Sequence, residues 1–252
     1  MTASNEFVAL EQLIFIFDFA TMINASTLAG IIGSPSEVDL DIVSLCGADI
    51  APKPEVADYP DARYVNYKTL GLSLCYEPSS SSSTKQLTFV DLFNPPSSGA
   101  SRPRRKQAYD GYASPPLPLI FRFSDTTLAL PPPPKPKPGA KLPENLPTTM
   151  ERSLTFEVKA DTTGKEFVSM FGEPTKKGEG HAGYVPPFME WEKMEIVGED
   201  GVTMVVGVMV ELGEGSSGGV GGMEEEAKKG AGVWDRAGDW VWVGLKLFGA
   251  GL

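Results

Sequence analysis

Two stretches decide the fold: Tyr64-Val65-Asn66-Tyr67-Lys68-Thr69-Leu70-Gly71-Leu72 and Phe188-Met189-Glu190-Trp191-Glu192-Lys193-Met194-Glu195-Ile196. Side by side, they carry aromatic residues at the same two places and apolar residues at matching places after them. Each follows a short helical pattern ended by a Gly-x-Pro, Gly33-Ser34-Pro35 in one case and Gly172-Glu173-Pro174 in the other. Each also precedes a further strand pattern, Val90-Asp91-Leu92-Phe93 and Leu245-Lys246-Leu247-Phe248. The pattern predicts two copies of helix, Gly-x-Pro, hairpin and further strand. Chance likeness between two β-rich stretches is the competing reading.

Working outward, Leu70 to Tyr76 alternates large and small residues, and Gln86 to Phe93 alternates apolar faces, as strands do. Val202 to Val210 and Trp240 to Phe248 are apolar on both faces. Such strands are normally covered on both sides, by a helix, a second sheet or a partner. Thr162 or Thr163 is placed to cap a helix over Lys165 to Phe171, with Gly172 as the stop and Pro174 beyond. Ser26 or Thr27 is placed to cap a short helix ending at Gly33, and Phe7 to Ile23 reads as a further helix.

The predicted fold class is α+β: two similar helix-plus-antiparallel-sheet units, able to form one continuous sheet, with a disordered proline-rich linker. The expected boundaries are a segment of uncertain order at 1–24, a first unit at 25–94, a basic proline-rich linker at 95–150 and a second unit at 151–252. The second unit contains a Gly-rich insertion at 213–232. Residues 95–147 hold 14 of the 22 prolines, and Pro131 to Pro138 reads as extended polyproline II because proline fixes φ and has no N–H.

The 252 residues carry a net charge of −11. It is unevenly spread: 12 acids and 4 bases lie in 1–94, 3 acids and 8 bases in 95–150, and 18 acids and 10 bases in 151–252. Overall acidity argues against sequence-specific nucleic-acid binding, since most of the surface repels phosphate. The first 25 residues have no Lys or Arg, and their apolar run Leu13 to Phe17 is broken by Asp18. Neither a secretory signal nor a membrane span is expected there. An intracellular protein, cytoplasmic or nuclear, with Cys46 and Cys75 as reduced, buried thiols, is expected.

The catalytic motifs fail on context. Gly215-Ser216-Ser217-Gly218-Gly219 matches a nucleophile elbow, yet the single histidine, His181, lies upstream rather than downstream. Gly213-x-Gly215-x-x-Gly218 matches a dinucleotide fingerprint, but Val220-Gly221-Gly222 interrupts the helix that must receive the pyrophosphate. Lys159 and Glu166 stand where a phosphate loop needs Gly and Ser or Thr. Asp39 with Asp41 and Glu190 with Glu192 are the nearest carboxylate pairs, in no Ca²⁺-loop pattern. No cofactor, metal or catalytic residue is assigned.

Two linker features remain. Arg102, Arg104, Arg105 and Lys106 form a candidate anion-binding segment, for anionic membrane lipid, RNA, an acidic partner or a nuclear import receptor. A solvated loop is the plainer reading. Pro115, Pro116, Leu117 and Pro118 form a candidate ligand for a WW- or SH3-type domain. Trp242 is a candidate partner contact, against the plainer reading of a core aromatic.

Helix, Gly-x-Pro and antiparallel meander, carried here by Lys165 to Pro174, resemble the unit of the beta-lactamase-inhibitor-protein and small-protein-A fold. That resemblance implies a helical element on one face of a small sheet, tandem units, and a protein-binding or assembly role. Separately, Tyr64 to Tyr76 is similar to a segment of the eukaryotic phagosome assembly factor family, which implies a role in autophagy-related membrane assembly. The proline- and glycine-rich insertions depart from both.

The function expected from these readings is a non-enzymatic intracellular protein-binding or adaptor protein, using a sheet face or edge and the linker. The alternatives are a carboxylate-based hydrolase with a pocket between the units, and a peripheral membrane or autophagy-related assembly factor that binds anionic lipid through the basic linker.

Overall fold

The structure is a computed structural model that describes residues 22–36, 40–46, 52–79, 84–96, 109–131, 147–179, 186–213 and 237–250. The chain begins with β1 (Ile23–Asn24), α1 (Ala25–Gly30), α2 (Ile42–Cys46), β2 (Glu55–Asp58) and β3 (Arg63–Tyr67). It continues through β4 (Leu72–Pro78), β5 (Lys85–Phe93), β6 (Leu119–Arg122), β7 (Thr127–Ala129), β8 (Thr149–Glu151) and β9 (Thr155–Val158). It ends with α3 (Gly164–Phe171), β10 (Lys176–Gly178), β11 (Phe188–Val197), β12 (Thr203–Gly213) and β13 (Val241–Gly249).

Eight strands form one sheet in the order β10-β11-β12-β13-β5-β4-β3-β2. Every neighbouring pair in it is antiparallel. Two four-stranded meanders therefore meet through their last strands, β5 and β13. Three stretches predicted as strands from periodicity fall in β4, β12 and β13, and Gln86 to Phe93 falls in β5. The α+β class holds: three short helices accompany mostly antiparallel strands.

One sheet face carries Leu72, Leu74, Leu92, Trp191, Ile196, Val208, Val210, Leu212, Trp242, Leu245 and Leu247, all buried. Across from it lie α1, α3 and a three-stranded sheet ordered β1-β6-β9, whose Phe121 and Phe156 join the same apolar core. Phe171 of α3 is the hub. Its ring centroid lies 4.9 Å from Phe121, 5.4 Å from Phe156 and 5.1 Å from Trp191. Edge-to-face contacts of this kind add to simple area burial.

Local chemistry explains α3. The Glu166 carboxylate accepts from the Thr163 N–H at 2.7 Å and from its hydroxyl at 2.8 Å, holding the first turn. Phe167 and Phe171, four apart, are buried on one side. Gly172 stops the helix at φ +84°, a region that favours glycine, and its carbonyl accepts the Trp191 indole N–H at 3.0 Å.

Several expectations need correction. The stretch expected as a linker, 95–150, contains β6, the middle strand of the three-stranded sheet, with Leu119, Ile120 and Phe121 buried. A four-residue strand inside proline-rich sequence has too short a period to register in composition. Residues 132–146 and 97–108 of that stretch lie outside the described residues. The short helix α1 begins at Ala25 after Asn24, ahead of Ser26 and Thr27, so Ser26 is a buried helical residue. The expected helix from Phe7 falls outside the described residues as far as 21, and Ile23 at its end is in β1. The two deciding nonapeptides agree only in their first half. Tyr64 to Tyr67 and Phe188 to Trp191 both run as strands, but Lys68–Leu70 is a 3-10 turn while β11 runs on to Val197. Leu72 and Ile196 thus sit in different strands, because the second hairpin is longer.

Candidate functional site

The sheet face turned away from the helices is where ionisable and aromatic side chains gather. Cα pairing carries one row of residues across all eight strands: Glu55, Asn66, Ser73, Asp91, Lys246, Met209, Glu190 and Lys176. At its middle, across the β5–β13 join, the Lys246 ammonium lies 3.6 Å from the Asp91 carboxylate and 3.7 Å from the centroid of the Phe89 ring. At its ends, Lys68 pairs with Glu55 at 2.5 Å, and Lys176 reaches Glu190 at 3.1 Å and Glu192 at 2.8 Å.

Aromatic residues flank this row. On one side run Tyr64, Cys75, Phe89 and Phe248, ending at Gly207, and Tyr59 packs edge-on against Tyr64. At Gly207 a Cβ would fall 2.1 Å from the Phe248 ring, which covers the glycine. On the other side run Phe93, Gly244, Glu211, Phe188 and Gly178. The Phe93 and Tyr112 rings stand 4.4 Å apart, and the Tyr112 hydroxyl and the Ser73 hydroxyl each donate to Asn66 Oδ1 at 2.8 Å. Tyr64, Phe89, Phe93, Phe188 and Phe248 are all only half-buried.

Burial sets the electrostatics. It pushes the Asp91 carboxyl up to about 6, against the opposing pull of Lys246. Glu211 is raised for the same reason, with Lys246 again opposing. The Cys75 thiol is pushed up to about 11 and the Tyr64 phenol to about 12, both chiefly by burial. Burial keeps the thiol and the phenol protonated at neutral pH, while the Asp91 carboxyl, at about 6, is held beside the Lys246 ammonium.

A groove of about 530 Å³ lies elsewhere, where the β4–β5 hairpin meets α1 and the end of β13, lined by Ile32, Glu77, Gln86, Thr88 and Ala250 among others. Among the described residues Glu77 is the one carboxylate that lines it. Among the described residues no three His, Cys, Asp or Glu converge as a metal site. No described helix is long and apolar enough to cross a membrane.

The sites expected from sequence fare unevenly. Trp242 is fully buried, and its indole N–H donates to the Lys159 carbonyl at 2.7 Å, so it is a core anchor rather than a surface contact. Pro115 is buried, while Pro116, Leu117 and Pro118 are half-buried. A WW- or SH3-type ligand must present its prolines; here the segment lies against the Gly71 backbone, where a Cβ would meet Ala113 O at 2.5 Å and Pro115 N at 2.8 Å. Arg102, Arg104, Arg105 and Lys106 lie outside the described residues, as do His181 and Ser217. Sequence reading missed the open-face residues. The available signal was Asp91 and Lys246, a single charge at the same place in each of two apolar strands.

Comparison with known proteins finds no matching family model, no similar curated protein and no similar solved structure.

Proposed function

We propose that this chain is a non-enzymatic intracellular protein-binding or adaptor protein that holds its partner on the open face of the eight-stranded sheet. The observation that carries this reading is the set of half-buried rings Tyr64, Phe89, Phe93, Phe188 and Phe248, spread over a face that the helices leave uncovered. Aromatic rings with a few embedded charges are the composition of interface hot spots. The mostly apolar strand β12 also exposes Val205, half-exposed at 50%, on this side.

The face has a twofold pattern, which supports an origin by internal duplication and the tandem-unit fold resemblance. Rotation about the Asp91–Lys246 pair matches Ser73 with Met209, Asn66 with Glu190 and Glu55 with Lys176. It also matches Gly71 with Gly207, Tyr64 with Phe188 and Phe93 with Phe248. The irregularities agree too. The register of β4 on β5 shifts between Cys75 and Tyr76, and that of β12 on β13 between Glu211 and Leu212, which are matched positions. Bulges are built features that tend to persist among related sheets.

The test is proximity capture in cells with the wild-type chain and with Phe89→Ala/Phe248→Ala, a pair whose rings lie on the open face. Loss of the captured set with an unchanged melting curve supports the reading. An identical set from both proteins counts against it. Replacing whole segments of 95–150 is not a clean alternative, because β6 lies within them.

A further inference from the structure

We infer that the open face contains a seat for a basic side chain of a protein partner, formed by the Glu211 carboxylate over the glycine floor of Gly244 and by the Phe93–Tyr112 ring pair. The inference rests on the protein-binding reading and names the chemistry of what is bound.

The face already shows how it seats a cation. Lys246 places its ammonium against the Asp91 carboxylate and over the Phe89 ring, at 3.6 and 3.7 Å. Acid and ring together are the two attractions a desolvated ammonium or guanidinium can use. One step along β13 the same two ingredients recur, with no cation of their own among the described residues. Gly244 is the Cα partner of Phe93 on one side and of Glu211 on the other. Because Gly244 has no side chain, the Glu211 carboxylate folds over it; a Cβ there would lie 2.9 Å from Glu211 Oε2. Phe93 holds its ring against Tyr112 across the opening.

Lys246 does not fill this place. Its ammonium is drawn to Phe89, the ring on the opposite side of the central row, and to Asp91, a second carboxylate that Glu211 repels. One lysine thus stands against two half-buried carboxylates, and it pairs with Asp91; among the described residues no ion pair reaches Glu211. A guanidinium laid on Phe93 and paired with Glu211 would supply the missing charge with planar, bidentate geometry. Arginine is therefore the better occupant and lysine the second. The chain's net charge of −11 draws basic partners toward this surface.

The experiment titrates the full-length, isotope-labelled chain with the heptapeptide Gly-Ser-Gly-Arg-Gly-Ser-Gly, with its citrulline counterpart and with its Glu counterpart, following amide shifts. Expected are saturable shifts for the Arg peptide centred on Phe93, Glu211 and Gly244, with both other peptides at least tenfold weaker. Glu211→Gln should weaken the Arg peptide about tenfold, the ratio that corresponds to loss of one charge-assisted contact. Three results overturn the inference: shifts of equal size with the citrulline or Glu peptide, shifts centred elsewhere on the wild-type protein, or full Arg affinity in a folded Glu211→Gln. If proximity capture depends on Phe89 and Phe248 while the Arg peptide leaves Gly244 unmoved, the seat is refuted and the binding face stands. If both fail, the protein-binding reading falls as well.

Discussion

Asp91 and Lys246 are Cα partners at the join of the two meanders, one on β5 and one on β13, and their charged groups lie 3.6 Å apart on a half-buried face. This ion pair sits where the largest sheet would otherwise divide. Its carboxyl has a folded-state value of about 6, above the ordinary 3.8, because burial penalises the charge more than Lys246 favours it. The sign follows directly. The folded state holds the proton more tightly than the unfolded state, so this group's stabilisation is complete below about pH 4 and is lost as pH rises through about 6. The raised Glu211 acts in the same direction. Denaturant unfolding from pH 4.5 to 7.5 should show stability falling by about 2 kcal/mol over this window. Asp91→Asn should flatten that dependence; an equally steep profile in the variant would remove Asp91 as its source.

The matched glycines Gly71 and Gly207 should respond very differently to alanine. At Gly207 the three atoms nearest the added Cβ all belong to the Phe248 ring, which can swing outward into solvent. The cost is expected near 1 kcal/mol, with Phe248 displaced from the face and partner capture reduced. At Gly71 the Cβ meets backbone on three sides, at 2.5, 2.8 and 2.9 Å, and φ is +58°. That site cannot yield without moving the 113–115 segment, so a loss of about 3 kcal/mol or more is expected. Paired thermal melts of the two variants decide the matter.

Trp242 offers a test of core against surface. Truncation to alanine removes a fully buried indole and strands the Lys159 carbonyl, which accepts its N–H at 2.7 Å. The expected loss is about 3–5 kcal/mol. Trp242→Phe keeps most of the packing and loses the hydrogen bond, for about 1–3 kcal/mol. A captured-partner set that changes in the Phe variant while its stability does not would return Trp242 to the partner-contact candidate that the sequence offered beside the core reading.

Much of this was readable in advance, for physical reasons. The strands β4, β5, β12 and β13 are central, and central strands need apolar residues on at least one face, so their periodicity is strong. α3 was readable because Thr163, Glu166 and Gly172 mark its ends with side-chain chemistry. β6 and β9 were not, since each spans four residues and gains its place from the Phe121–Phe171 and Phe156–Phe167 contacts with elements distant in sequence. The same limit hid the open face. Asp91 and Lys246 are charges in apolar strands, but only the register of β5 on β13 puts them together. Trp242 left a core and a partner-contact reading side by side because its strand is apolar on both faces; the bulge beside Leu212 turns it inward.

The two cysteines give the last prediction. Cys46 on α2 and Cys75 on β4 are free thiols, both buried with no exposed surface. Burial pushes each thiol up to about 11, so at pH 8 the reactive thiolate is scarce as well as inaccessible. Labelling of the folded chain with a soluble disulfide reagent should be slower than that of a free thiol by a factor of more than 100, and unfolding in denaturant should release both sites at once. Their rates need not be equal in the folded protein. Cys75 lies on an inner strand of the eight-stranded sheet, paired across the ladder with Tyr64, whereas Cys46 ends a five-residue helix. Local opening of that helix requires breaking far fewer contacts than opening the sheet, so Cys46 should label first. Mass spectrometry of partially labelled protein reads the order, and modification of Cys75 ahead of Cys46 would show that the sheet, rather than α2, is the less stable part.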